Sequence, residues 1–152
     1  MRGKRGRRPP CARGKPVAVI QARAVITGTG AGRVLRLAQA LSFWGDVDPY
    51  TGKLTNPRQT WHGTSIAGRV LVLPELRGSS SGSAVMLELL AGGHAPAALV
   101  LGRIDAIIGL GILVAREMGW PTIPLLELPV DRHERLVDGA EASVSVEGAI
   151  TV

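Results

Sequence analysis

The sequence contains a single cysteine, Cys11, in 152 residues. No disulfide can form within the chain, and its thiolates alone cannot ligate an iron–sulfur cluster. Aromatic residues are also scarce: one Phe, one Tyr and three Trp, too few for the stacking surfaces of single-strand nucleic-acid binders. No apolar run is long and uncharged enough to span a bilayer. The basic start lacks the apolar stretch that would follow it in a secretory signal. These absences predict a cytoplasmic protein with no membrane partner.

Acidic residues are missing from positions 1–16, which hold Arg2, Lys4, Arg5, Arg7, Arg8, Arg13 and Lys15. The rest of the chain holds eleven Lys/Arg against twelve Asp/Glu. The formal charge of +6 and the isoelectric point of about 10.7 are therefore properties of the tail. A tail of this kind can bind nucleic acid, and a non-catalytic binding module built on it is one reading of the chain. It would bind in a salt-sensitive way that disappears on deleting residues 1–16. The body has no basic face to support that reading, so residues 1–16 are read as a disordered extension. Residues 17–152 are read as one folded domain, and 45% hydrophobic residues suffice for its core.

The stretch that organises this domain is LVLPELRGSSSGSAVMLELL, Leu71–Leu90. A buried strand ends at Pro74, a turn follows, and Ser79, Ser80, Ser81 and Ser83 lead into an apolar helix over Ala84–Leu90. A helix N-terminus leaves N–H groups unpaired and carries partial positive charge, so such a turn can hold a carboxylate. The same serines also suit plain capping and turn duty.

Ahead of this stretch, Ala22–Ile26 reads as a strand. GTGAGR (Gly28–Arg33) lacks the complete G-x-G-x-x-G opening of a dinucleotide loop, and its glycines are expected to make a tight turn. Leu41–Gly63 reads as a long irregular loop holding the only Phe and Tyr and two of the three Trp; loops of this length are usually functional or disordered. Asp46, Asp48 and His62 lie in it as weak metal or acid–base candidates, since Asp beside Pro or Gly is also ordinary turn chemistry. Arg69–Leu73, Ala97–Leu101 and Thr122–Leu126 read as strands. Gly92 and Gly93 end the serine helix. A second helix is predicted over Ile104–Met118, with Ile104, Ile107, Ile108, Leu110 or Gly111, and Val114 inward, stopped by Gly119. Turns at Asp138–Gly139 and Glu147–Gly148 divide the last strands, with alternation through Val144 and Val146. The expected class is α/β, a mixed sheet or half-barrel with about two main helices.

Three stretches resemble the small subunit, or swivel domain, of the aconitase X family: LSFWGDVDPYTGKLTN at Leu41–Asn56, GTSIAGRVLVLPELRGSSSGS at Gly63–Ser83, and the order from GHAPAALVL to GWPTIP. Asp46 departs from the family pattern, which has a second Gly there. The resemblance implies a swivelling β/β/α domain and a hydro-lyase that dehydrates a small hydroxy acid. It implies a large partner chain that carries the iron–sulfur cluster, without which the small chain is inactive, in a two-chain complex. It assigns the proton-accepting serine to Ser79. Gly78 and Ser80 are the candidate substrate-positioning neighbours, and Arg77 a candidate cation. Bacterial members resemble cis-3-hydroxy-L-proline dehydratase and archaeal members mevalonate 5-phosphate dehydratase. The Ala-, Gly- and Arg-rich composition favours the first substrate.

ILVAREMGWPTI at Ile112–Ile123 is also similar to the swivelling domain of phosphoenolpyruvate-utilising enzymes, which carry a phosphorylated His just upstream of an A-R-E-x-G helix. Here Leu110 stands six before Arg116, and His94 lies too far upstream. The similarity therefore supports the swivelling fold and not phosphohistidine chemistry.

Overall fold

The computed structural model describes residues 17–78 and 80–152; the basic tail and Ser79 lie outside the described residues. Eight strands form one mixed sheet: β1 (Val19–Gln21), β2 (Arg23–Ile26), β3 (Gly30–Arg36), β4 (Val70–Leu73), β5 (Ala98–Leu101), β6 (Leu125–Glu127), β7 (Glu141–Val144) and β8 (Ala149–Thr151). Their spatial order is β1-β8-β7-β3-β4-β5-β6-β2. Strands β3 to β6 run parallel, and the flanking pairings are antiparallel. The helices are α1 (Phe43–Asp46), α2 (Gly82–Gly92) and α3 (Ala106–Glu117), with a 3-10 turn at Val130–Arg135.

The two ends of this order are joined by one residue. β1 and β2 flank Ala22, yet they pair with β8 and β6 at opposite ends of the sheet. The sheet must therefore curl until its ends meet. Packing agrees: Ile20, Val34, Val70, Ala98, Leu126, Ala142 and Ile150 belong to a single buried cluster fed from around the sheet. The expected half-barrel is thus closed further than the sequence suggests. Leu71, Leu73, Leu99 and Leu101 point the other way, into a second cluster with Met86, Leu89, Ile108 and Ile112 of α2 and α3. Burial on both faces explains why β4 and β5 read as unbroken apolar runs.

Several boundaries differ from expectation. Gly30 and Gly32 do not form a turn; they lie within β3. Gly30–Arg33 pair with β7, and Val34–Arg36 pair with β4. A Cβ on Gly30 would overlap the Ala97 carbonyl, and one on Gly32 the Gly68 carbonyl. These glycines let backbones approach closely where β3 changes partners. β6 begins at Leu125, after Pro124, which has no N–H to donate to a ladder. Val146 is exposed, beyond the end of β7.

The inward face of α3 is also rotated from the expected one. Ile108, Gly111, Ile112 and Ala115 are buried, whereas Leu110 and Val114 are 57% and 44% exposed. α3 is apolar nearly all round, so periodicity could not choose the face. Small residues decide it: a Cβ on Gly111 would lie 2.8 Å from the Ser83 carbonyl oxygen of α2. Asp105 starts α3 by accepting hydrogen bonds from the Ile107 and Ile108 N–H groups at 2.9 and 3.0 Å.

His133, in the 3-10 turn, is 5% exposed, and its Nε2 lies 2.8 Å from the Leu128 carbonyl oxygen. Burial holds its pKa below the ordinary imidazole value of 6.5, although the Leu128 carbonyl opposes that shift. Well above pH 6.5 both the folded and unfolded chains carry a neutral ring, and His133 adds no pH dependence. Below it, the unfolded chain takes up a proton that the folded chain resists, so stability falls as the pH drops. Urea unfolding of the wild type and of His133→Gln at pH 7.5 and 5.5 measures this. The wild type is expected to lose more stability on acidification than the variant; equal losses would place the acid sensitivity elsewhere.

Candidate active site at the serine turn

The long segment between β3 and β4 is irregular but tightly tied. Ser42 caps α1, its Oγ accepting from the Gly45 N–H at 3.2 Å. The Asp46 carboxylate turns back and accepts from the Ser42 N–H at 3.0 Å. This is a variant of the reciprocal capping box, with the acid one position later than usual. Asp46 also accepts from Asn56 Nδ2 at 3.1 Å and faces Arg77 Nη2 at 3.4 Å. Its backbone accepts from the Thr55 N–H at 2.9 Å. Asp46 and His133 are the buried charged or titratable side chains among the described residues. Asp46 is therefore a fastener between the aromatic loop and the serine turn.

The turn is held from the same loop. Leu41 and Leu76 form a parallel bridge, and the Arg77 N–H donates to the Leu41 carbonyl at 2.9 Å. Gly78 then adopts φ +115°, a conformation that favours glycine. A Cβ there would lie 2.7 Å from Ser42 Oγ, so the turn's backbone rests directly on the α1 cap. Ser80 is exposed, and its carbonyl accepts from Ser83 Oγ at 2.9 Å. α2 begins two residues later, at Gly82. The turn thus brings Gly78, Ser80 and Arg77 onto one exposed corner, beside the exposed Trp44. Ser79 stands between them in sequence and lies outside the described residues.

The other polar loop candidates do not converge. Asp48 accepts from the Tyr50 N–H at 2.9 Å and from Thr51 Oγ1 at 2.8 Å, and these hydrogen bonds lower its pKa. It closes a turn. His62 is exposed. The cleft beside the turn is lined by Phe43, Trp44, Arg77, Gly78, Asp105 and Ile107, among others, and holds about 20 Å³. That is room for about one water molecule. A hydroxy acid is larger than this cleft.

The match to known proteins follows the same elements. Residues 19–152 match the family model of the aconitase X swivel domain. The chain belongs to the aconitase X swivel-domain family. A crystal structure titled Thermococcus kodakaraensis aconitase X (holo-form) superposes with a TM-score of 0.77 at 30% identity, covering 88% of this chain and 96% of that one. The cis-3-hydroxy-L-proline dehydratase of Pseudomonas aeruginosa is 38% identical over 128 residues, which is 80% of this chain and 22% of that protein. The phosphomevalonate dehydratase small subunit of Methanothermobacter thermautotrophicus is 35% identical over 127 residues, 82% of this chain and 97% of that subunit. The chain thus spans about a fifth of the length of the cis-3-hydroxy-L-proline dehydratases it matches.

The aconitase X resemblance implies an iron–sulfur cluster, and the described residues of this swivel domain do not fit one. Among them no group of three or more His, Cys, Asp or Glu side chains could hold a metal ion. The chain's one cysteine, Cys11, lies in the tail, outside the described residues. No helix among the described residues is long and apolar enough to cross a membrane.

Proposed function

We propose that this swivel domain supplies the proton-accepting half of an aconitase X-type hydro-lyase that works in the cytoplasm. A larger chain carries the iron–sulfur cluster and most substrate contacts, and this chain is inactive without it. The observation that carries the reading is the exposed serine turn, built on a family-matched fold and seated at a cleft too small for the substrate. In this reading a second surface closes over it.

In this reading Ser79 accepts the proton α to the substrate carboxylate. The C–H electron pair becomes the new double bond, and hydroxide leaves from the neighbouring carbon. A serine hydroxyl is a weak base, so its alkoxide form must be favoured by its surroundings. The positive end of α2 and the Arg77 guanidinium supply that field from this chain. Gly78 and Ser80 position the substrate or Ser79 through the turn's backbone. Loss of hydroxide needs an electrophile, and that half of the chemistry belongs to the partner chain.

The substrate we favour is cis-3-hydroxy-L-proline, supported by the 38% identity to the Pseudomonas enzyme. Mevalonate 5-phosphate is the second reading. Its support is that the chain covers 97% of the Methanothermobacter small subunit at nearly the same identity. Purifying the tagged chain from its source under anaerobic conditions tests both. A brown complex with a cysteine-bearing partner, active on one of the two substrates, is the expected result. A colourless, partnerless chain would overturn the assembled-enzyme reading.

A further inference from the structure

Asp46 is the feature of this fold that the proposed reaction leaves unused. It is 5% exposed, while the Arg77 side chain it faces is 57% exposed. A buried carboxylate behind an exposed guanidinium restrains that cation from one side. Asp46 reaches the serine turn by two routes. The first is direct, from Oδ2 to Arg77 Nη2 at 3.4 Å. The second runs through Ser42: Asp46 fixes its N–H at 3.0 Å, and its Oγ is the atom that a Cβ on Gly78 would strike. Asn56 Nδ2 holds the other carboxylate oxygen at 3.1 Å, so the acid cannot swing away without breaking a further bond.

We propose that Asp46 is a positioning residue for the reaction, locking Arg77 and Gly78 so that the serine turn keeps its catalytic shape. This rests on the dehydratase reading above. The role is one of geometry: Asp46 is buried behind the turn, and its effect passes through Arg77 and Ser42. Small displacements of reacting groups are costly in rate, so loosening this anchor acts mainly on kcat.

The test combines two measurements. In the full 152-residue chain, NMR relaxation and hydrogen exchange at the Arg77 Nε–H and the Gly78 amide are compared between wild type and Asp46→Asn, which keeps the size and one acceptor but removes the charge. Faster motion and exchange at both sites are expected. Should Asp46→Asn fail to fold, Arg77→Gln severs the same contact from its exposed end, and the Gly78 amide reports it. In the assembled complex, Asp46→Asn is expected to lower kcat by about 10- to 100-fold with KM little changed. The double variant Asp46→Asn/Arg77→Gln should be no slower than the slower single variant. Unchanged NMR behaviour, or kinetic effects that simply multiply, would overturn the proposal while leaving the dehydratase reading intact. A wild-type complex that dehydrates neither substrate would overturn that reading and the catalytic role with it, and the NMR comparison would still decide whether Asp46 anchors the turn.

Discussion

Replacing Ser79 by Ala in the assembled complex is expected to lower the dehydration rate by about 10²–10⁴-fold, the usual cost of losing a general base. Folding should change little. Gly78 and Ser80 on either side are exposed, and substitutions at such positions usually stay within about 0.5 kcal/mol. The measurement is a turnover assay beside a thermal melt of the same preparation. A variant that melts like the wild type and loses activity assigns the base to Ser79. Full activity would move the base to the partner chain and leave this domain a structural cover. A variant that misfolds would instead give Ser79 a structural role in the turn. Ser80→Ala separates the two neighbouring hydroxyls: a smaller loss there is expected, because Ser80 is assigned to positioning.

The largest expected effect on stability lies far from the turn. Gly32→Ala should destabilise the domain by about 3 kcal/mol, the upper end of what overpacking usually costs. The added methyl would overlap the Gly68 carbonyl, and because that atom is backbone it cannot rotate away. A loss of this size lowers Tm by roughly 10 °C in a domain of this length. Gly45→Ala is the matched control. A Cβ there would meet only the Ser42 side chain, Oγ at 3.5 Å and Cβ at 3.8 Å, and helical geometry tolerates alanine. A melt of Gly32→Ala within a degree or two of the wild type would show that the β3 crossing relaxes easily.

These two sites also show what the sequence made legible. β4, β5 and α2 were readable because they are buried on both faces or bounded by strong signals, Pro74 on one side and Gly92–Gly93 on the other. The RGSSSGS turn was readable through its family likeness. The Gly30 and Gly32 pair was misread as a turn, because a glycine chosen for close backbone approach looks in sequence like one chosen for conformational freedom. The α3 face was legible only in part: Ile108 and Gly111 are inward as expected, whereas Val114 is exposed and Ala115, which carries little hydrophobic signal, is buried instead. Asp46 read as loop acid because its burial is a property of the assembled fold. One local clue existed, the four-residue spacing from Ser42, which allows the reciprocal cap.

The single-residue link between β1 and β2 has a consequence for how the domain is made. Val19 pairs opposite Thr151, so the first strand of this domain to be synthesised waits for the domain's last. β2, next in line, waits for β6. Pairings this distant in sequence pay their loop-closure entropy before they are rewarded, and such topologies fold slowly. The parallel centre, β4-α2-β5, can assemble from neighbouring segments while the barrel is still open. Vectorial synthesis would therefore produce a half-built sheet with two unpartnered margins. Those margins stay open to mispairing until the hairpin of β7 and β8 forms and seals them.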